Sequence, residues 1–373
     1  MKITVNSYDL AEAVNKVAKA CAVKDLNGKI LEGIKLSSQN DKLTLTATDV
    51  DMSIETSIRC ETLESGVIVV AGKIFAEYVN KVIGENLCVD ISLQPNGQAK
   101  FTCGKVKFLL STMDAEQFPL IKKDLNENCL GIKVEDFKKV VARTSFCCAI
   151  DEARPILKGC LFDITADDEL TVAALDGYRL GVCKASVESF TGNIKNAIVP
   201  GKALTEMVKL IGAEEKTAKI YLSENQVMLL TGETLLTARL FNGRFVDYNN
   251  ILNTPYKTEI FVNREDLISA LDRMSILAKT ASNLISVKSV GSTLKLTTNN
   301  EIGDIEEELE IERQGNEIKI RLNYKYLLDA LKAIDEEKVR LCFNTESTPM
   351  FIRSVNEENR SFDYLVMPVR SGR

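Results

Sequence analysis

The sequence predicts an α+β protein built from three structurally repeated domains, and two observations carry that expectation. First, an amphipathic helical phrase occurs once in each third of the 373 residues: VNSYDLAEAVNKVAKAC from Val5, VEDFKKVVARTSFCC from Val134 and VNREDLISALDRMSILA from Val262. Second, each phrase is followed by alternating apolar and polar residues of hairpin type and then by a second helical stretch. The starting valines lie 129 and 128 residues apart, which places domains at residues 1–128, 129–256 and 257–373. Strands forming sheets, with two helices covering one sheet face, make each repeat an α+β layer.

In the middle copy of the helix, Phe137, Val140, Val141, Thr144 and Cys148 fall at i, i+3, i+4, i+7 and i+11, one side of an α-helix. Lys138, Lys139 and Arg143 lie on the other side. The hairpins read ILEGIKLSSQNDKLTLTATD, ILKGCLFDITADDELTVAALD and NLISVKSVGSTLKLTTNN, broken at QND, ADD and GS. Leu43, Leu170 and Leu294 open their second strands. The second helices are GKIFAEYVNKVIG from Gly72, GKALTEMVKLIG from Gly201 and YKYLLDALKAI from Tyr324, with Lys73, Lys202 and Lys325 in matching places of the first turn. Gly84 and Gly212 are expected to close the first two copies. A further hairpin, VDISLQPNGQAKFTCGKVKFLLST in the first third, completes each unit.

A chain that is 45% hydrophobic and 27% charged has ample material for globular cores. Its ten cysteines form no CxxC pair, and it has no histidine to complete a zinc site. They read as small buried hydrophobes in a reducing cytoplasm, and no metal or cofactor is expected. MKITVNSYDL lacks the form of a signal peptide, and no run approaches 18 apolar residues, so a cytoplasmic protein without a membrane span is expected.

The net charge of −6 argues against a nucleic-acid partner until charge is counted by element. Six windows, 7–24, 73–83, 135–147, 202–212, 264–279 and 325–335, hold fifteen basic and eleven acidic residues, net +4 against −10 elsewhere. Many of those acids sit in first turns, where they complement the helix dipole. Amphipathic helices carry charged solvated faces as a rule, but repeats stacked with their helices together would pool these cations. Twelve such helices, from two chains, at ~9–10 Å spacing make a ring roughly 35 Å across at the helix axes. A bore of that size admits duplex nucleic acid. Lys24, Lys73, Lys138, Lys139, Arg143 and Lys202 are the candidate DNA-binding residues.

Enzymatic chemistry lacks candidates. The GK pairs at 72–73 and 201–202 stand outside a GxxxxGK[ST] frame. Asp49 and Asp51 would pair around a metal in one repeat only, since the aligned segments are ALDGY and TNNEI. No Ser or Cys adjoins a plausible base.

Five segments, VVAGK at 69–73 and IVPGK at 198–202, ALDGYRL at 174–180, NGRFVDY at 242–248 and DYLVMPVR at 363–370, make the whole chain resemble the bacterial sliding clamp family, the β subunits of DNA polymerase III. The resemblance implies a head-to-tail homodimeric ring, helices inside and antiparallel sheets outside, that encircles double-stranded DNA without reading sequence. It also implies a cleft between the second and third domains that takes short apolar peptides of polymerase subunits, the clamp loader and other proteins. By position, the cleft walls would be Leu157, Leu175, Gly177, Tyr178, Arg179, Leu180, Val246, Ile251, Leu284, Asn323, Tyr326, Pro349, Leu365, Met367, Pro368, Val369 and Arg370. Arg179 and nearby backbone groups are expected to set the peptide's direction. Leu175, Val246 and Asn250 depart from the Thr, Pro and Arg of some relatives, which bears on peptide preference. Phe108 and Leu110 would meet Ile276 and Leu277 of a second copy at the dimer joint. Ile276 and Leu277 lie partly off their helix's core stripe, as a second buried contact requires. The alternative is a clamp-like relative that binds peptides without forming a loadable ring.

Overall fold

The computed structural model describes residues 1–24, 29–84, 87–123, 125, 128–151, 153–165, 169–194, 196–356 and 361–369. Among these the helices are α1 (Ser7–Val17), α2 (Gly72–Val79), α3 (Val134–Thr144), α4 (Gly201–Leu210), a single turn α5 (Asn249–Leu252), α6 (Arg264–Ala278) and α7 (Tyr324–Lys332). A strand runs directly into each helix of the repeated phrase: Lys2–Asn6 into α1, Cys129–Lys133 into α3 and Thr258–Asn263 into α6. Asn6 caps α1, its Oδ1 accepting from the Tyr8 N–H at 2.9 Å, and Asn263 caps α6 by accepting from the Asp266 N–H at 3.1 Å.

The core stripe of each copy is buried at i, i+3, i+4 and i+7: Leu10, Ala13, Val14 and Val17; Phe137, Val140, Val141 and Thr144; Leu267, Ala270, Leu271 and Met274. These positions set the true register. Ser7, Val134 and Arg264 are counterparts, so the spacings are 127 and 130 residues. Val134 therefore does not match Val5 and Val262, which belong to the preceding strands. A shared first letter carries no energy, whereas burial of the stripe does. The helical windows also shorten: α1 stops at Val17 and passes into a 3-10 turn, and α2 stops at Val79, ahead of Gly84. Gly212 follows α4 by two residues.

All three expected hairpins form as antiparallel pairs: Gly33–Gln39 with Lys42–Thr48, Gly159–Ile164 with Glu169–Leu175, and Leu284–Val290 with Thr293–Asn300. Leu43, Leu170 and Leu294 are fully buried beneath them. The ADD turn lies outside the described residues.

The chain divides into two compact units. The first, Met1–Val134 with Glu188–Ile194 and Thr205–Leu240, is organised on a fourteen-stranded sheet. The second, Glu135–Val187 with Lys195–Leu204 and the chain from Phe241 onward, holds a nine-stranded and a four-stranded sheet. Within each unit, strands from different thirds of the sequence are hydrogen-bonded to one another. In the first, Met52–Arg59 pairs with Thr234–Arg239; in the second, Arg179–Ser186 pairs with Phe362–Val366. Backbone ladders replace linkers at these seams, which is why the compact units do not coincide with the repeats.

Candidate partner-binding cleft and basic helix faces

Several of the residues expected to wall a cleft lie together in the second unit, at the seam between Arg179–Ser186 and Phe362–Val366. Asp176 shapes the turn into the first of these strands: its Oδ1 accepts from the N–H groups of Tyr178 (2.9 Å) and Arg179 (3.0 Å). Gly177 takes φ = 94°, where a side chain would be strained. The Met367 N–H then donates to the Tyr178 carbonyl at 2.8 Å, and the Val369 N–H to the Arg321 carbonyl at 2.8 Å, so the C-terminal segment is laid along the turn.

Leu157, Leu175, Leu180 and Leu365 are buried in one apolar cluster with Phe245, Tyr248 and Phe351, and Ile251 packs against it. Those four leucines are core residues rather than the open walls expected from sequence. The exposed apolar rim is Tyr178, Val246, Met367 and Val369. Tyr326 stacks on Tyr178 with ring centroids 6.4 Å apart. Leu284 and Asn323 pair across adjacent strands, and Asn323 also caps α7 by accepting from the Lys325 N–H at 3.0 Å. Pro349 and Pro368 are partly buried, Asn250 is exposed, and Arg370 lies outside the described residues. Phe245 and Tyr248, both in the GRFVDY segment, join the same buried cluster without being among the expected wall residues.

Arg179 does not present an open guanidinium. Its Nε donates to Asp176 at 3.0 Å and an Nη to Asp329 at 2.8 Å, while the group lies 4.6 Å from the Tyr326 ring centroid and 5.4 Å from that of Phe146. Burial by itself would lower its proton affinity, but Tyr364 and the Asp329 hydrogen bond outweigh this and push it above the ordinary value. Two carboxylates and two rings thus hold Arg179 as a brace beneath Tyr326. Burial, with Asp163 and Asp247 nearby, pushes the Tyr248 phenol up to about 12.

The basic positions separate into two kinds. Lys24, Lys73, Lys139, Lys202 and Lys325 are exposed, and Lys138 is half-buried. Lys73, Lys202 and Lys325 are each the second residue of their helix, as the register demanded. Arg143 departs from the expected solvated face. It is 6% exposed, ion-paired with Asp335, and donates to the Ala333 carbonyl (3.3 Å) and Ser361 Oγ (3.2 Å). It sits at i+6 from Phe137 and beside Thr144, near enough to the stripe to be drawn inward once α7 supplies acceptors at its end. Lys139 reaches the same carboxylate at 3.8 Å. Burial raises the Asp335 pKa, but Arg143 and then Lys139 more than offset this and hold it below the ordinary value.

At the expected dimer joint, Phe108 stacks on Tyr78 at 4.4 Å in the first unit, and Leu110 is half-buried. In the second unit Ile276 is 71% exposed and Leu277 half-buried. Each unit also ends in an open strand edge. Among the described residues, Val106–Met113 pairs along one side with Gln98–Cys103, but along the other only Thr112 and Met113 are paired, with Val70 and Val69. Gly303–Glu310 is the terminal strand of the four-stranded sheet and exposes Asp304, Glu306, Glu308 and Glu310.

Of the cysteines, six are buried, Cys21, Cys129 and Cys148 are half-buried, and Cys88 is exposed, contrary to the expectation of uniform burial. Among the described residues no helix is long and apolar enough to cross a membrane, and no cluster of three potential ligands could hold a metal ion.

Comparison with known proteins covers the chain end to end. Residues 1–122 match the family model of the N-terminal domain of the DNA polymerase III beta subunit, 131–247 that of the central domain and 249–370 that of the C-terminal domain. The beta sliding clamp of Staphylococcus epidermidis is 30% identical, and that of Staphylococcus aureus 31%, each over 100% of both chains. The crystal structure of the DNA polymerase sliding clamp from Bacillus subtilis superposes with a TM-score of 0.92 at 29% identity, again over 100% of both chains.

Proposed function

This chain belongs to the family of DNA polymerase III beta subunits, and on that premise we propose that two copies join head to tail through the open edges of Val106–Met113 and Gly303–Glu310 to enclose duplex DNA. It is a DNA sliding clamp, a processivity factor of replication and not an enzyme. Its domains are three clamp repeats, with seams near residues 128 and 256.

One observation carries the assembly. At both seams within the chain, the outer strand of a repeat's first sheet takes the last strand of the next repeat's second sheet: Met52–Arg59 takes Thr234–Arg239, and Arg179–Ser186 takes Phe362–Val366. Applied once more, the rule pairs Gly303–Glu310 with the Val106–Met113 strand of a second copy, which closes a cycle of repeats. Charge agrees, since Lys105 and Lys107 are exposed on one edge and four acids on the other. Phe108, Leu110, Ile276 and Leu277 then supply the apolar contact beside this ladder.

Lys24, Lys73, Lys138, Lys139 and Lys202 meet phosphates, a contact that carries no sequence information and so permits sliding. The cleft over Leu157, Leu175, Leu180 and Leu365, rimmed by Tyr178 and Met367, receives short apolar peptides of polymerase subunits, the clamp loader and other clients in the cytoplasm.

The test joins mass and topology. Sedimentation should give twice the chain mass, and protein loaded onto nicked circular DNA should be retained, then lost when the circle is cut. Ile276→Asp with Leu277→Asp should yield folded monomer and abolish retention. A wild-type chain that stays monomeric at micromolar concentration would refute the ring.

A further inference from the structure

We propose that Cys148 and Cys160 are a reversible disulfide site that closes when the chain meets a peroxide. Their sulfur atoms lie 3.5 Å apart with no disulfide between them. A disulfide needs a separation of about 2.0 Å, so side-chain rotation has to supply about 1.5 Å. Cys148 ends the 3-10 turn that follows α3 and is half-buried; Cys160 is fully buried on the strand Gly159–Ile164, opposite Val199. Cys148 is therefore the nearer of the two to solvent, with Cys160 held behind it.

The internal repeat shows that this pair is not demanded by packing. Cys160 faces the residue two positions before α4; the corresponding positions before α2 and α7, Val70 and Leu322, face Ile34 and Ile285. An isoleucine thus fills the place of Cys160 in both other repeats. Cys148 has a counterpart in Cys21, which also follows its helix through a 3-10 turn and packs against the glycine that starts the second helix, Gly72 there and Gly201 here. Cys21 has Ile34 where Cys148 has a thiol, so it serves as a built-in control. Cys147, next in sequence, packs against Gly181 instead.

Chemistry assigns the order of events. Hydrogen bonding with Cys148, together with burial, keeps the Cys160 thiol protonated well above its ordinary value, so Cys148 reacts first. As the thiolate it attacks one peroxide oxygen: an S–O bond forms, the O–O bond breaks, and the leaving hydroxide takes up a proton to become water. The Cys160 sulfur then attacks the sulfenic sulfur, an S–S bond forms, the S–O bond breaks, and hydroxide leaves with the Cys160 proton as a second water. Two thiols lose two electrons and two protons, and the peroxide is reduced to two waters. The bond would fasten the end of α3 to the strand just beyond Leu157, whose carbonyl already accepts from the Ala149 N–H at 2.8 Å.

The full-length chain carrying Cys88→Ser, which removes the exposed thiol, is treated with hydrogen peroxide and followed by intact mass and by peptide mapping without reductant. The expected product has lost two hydrogens, carries one Cys148–Cys160 cross-link, and reverts with dithiothreitol. Cys160→Ile, the residue of the other two repeats, should fold normally and lose that product, Cys148 going to sulfinic acid instead. Cys21→Ser should leave the cross-link unchanged. A map of the Cys88→Ser chain showing sulfinic acid at Cys148 with Cys160 reduced would overturn the proposal, as would a cross-link joining Cys148 to any other cysteine.

Discussion

Arg179 shows how one side chain can change meaning between sequence and structure. As part of DGYRL it reads as a group that greets a ligand; in the fold it is spent on Asp176, Asp329 and the Tyr326 ring. Asp329, on α7, therefore helps hold Arg179 in place beneath Tyr326. Asp329→Asn should weaken binding of a short apolar peptide about tenfold, ~1.4 kcal/mol, by fluorescence anisotropy, with Asp329→Glu restoring part of it. Val50 is a residue of another kind, one that carries backbone strain. It holds φ = 79° in the turn where the neighbouring repeat has Gly177, and it is 52% exposed, so little packing offsets the strain. A β-branched residue there costs roughly 1–2 kcal/mol, against ~0.5–1 kcal/mol of added unfolded-state entropy for glycine. Val50→Gly should raise the melting temperature slightly. Tyr248 provides a pH test. Its phenol is raised to about 12 by burial, so the stability it lends is complete below the unfolded value of ~10 and is lost as pH rises through about 12. Tyr248→Phe should move the alkaline unfolding midpoint upward.

At the scale of elements, α3 separates packing from charge. Phe137 is fully buried on its stripe, and Phe137→Ala should cost ~3–5 kcal/mol in denaturant unfolding. Lys138→Ala with Lys139→Ala should cost little stability but lower the salt slope of DNA binding by about one for each phosphate contact removed. Burial and strand pairing were legible at this scale. The stripes, the three hairpins and the buried Leu43, Leu170 and Leu294 all follow from local periodicity, because burial on one face must repeat with the period of the element. What local pattern misled about was register and depth. Val134 looked like the counterpart of Val5, and Arg143 like a solvated base, until the packing of α3 and the acceptors at the end of α7 decided both. Neither acceptor is near Arg143 in sequence, so no window of the chain contains the reason it is buried.

For the molecule as a whole, the seams are the organising device. They join distant thirds through backbone hydrogen bonds, and they leave two open edges of opposite charge. Lys107→Glu should weaken dimerisation roughly tenfold at low ionic strength and much less at high salt, as measured by sedimentation. A dimer indifferent to this reversal would mean that the joint lies elsewhere. The sequence by itself determined that there are three copies of one α+β unit, which face of each helix is buried, where the cations fall in the second helices, and which family the segments resemble. All of these depend on periodicity or on residue order, and both are properties of the chain before it folds. Only the tertiary structure decided which strands meet across the repeats, that Leu157, Leu175, Leu180 and Leu365 are buried in one cluster while Tyr178, Val246, Met367 and Val369 stay exposed, that Arg179 and Arg143 are internal braces, and that two cysteines share a contact. Each of those depends on residues brought together from tens to hundreds of positions apart, and that proximity arises from packing.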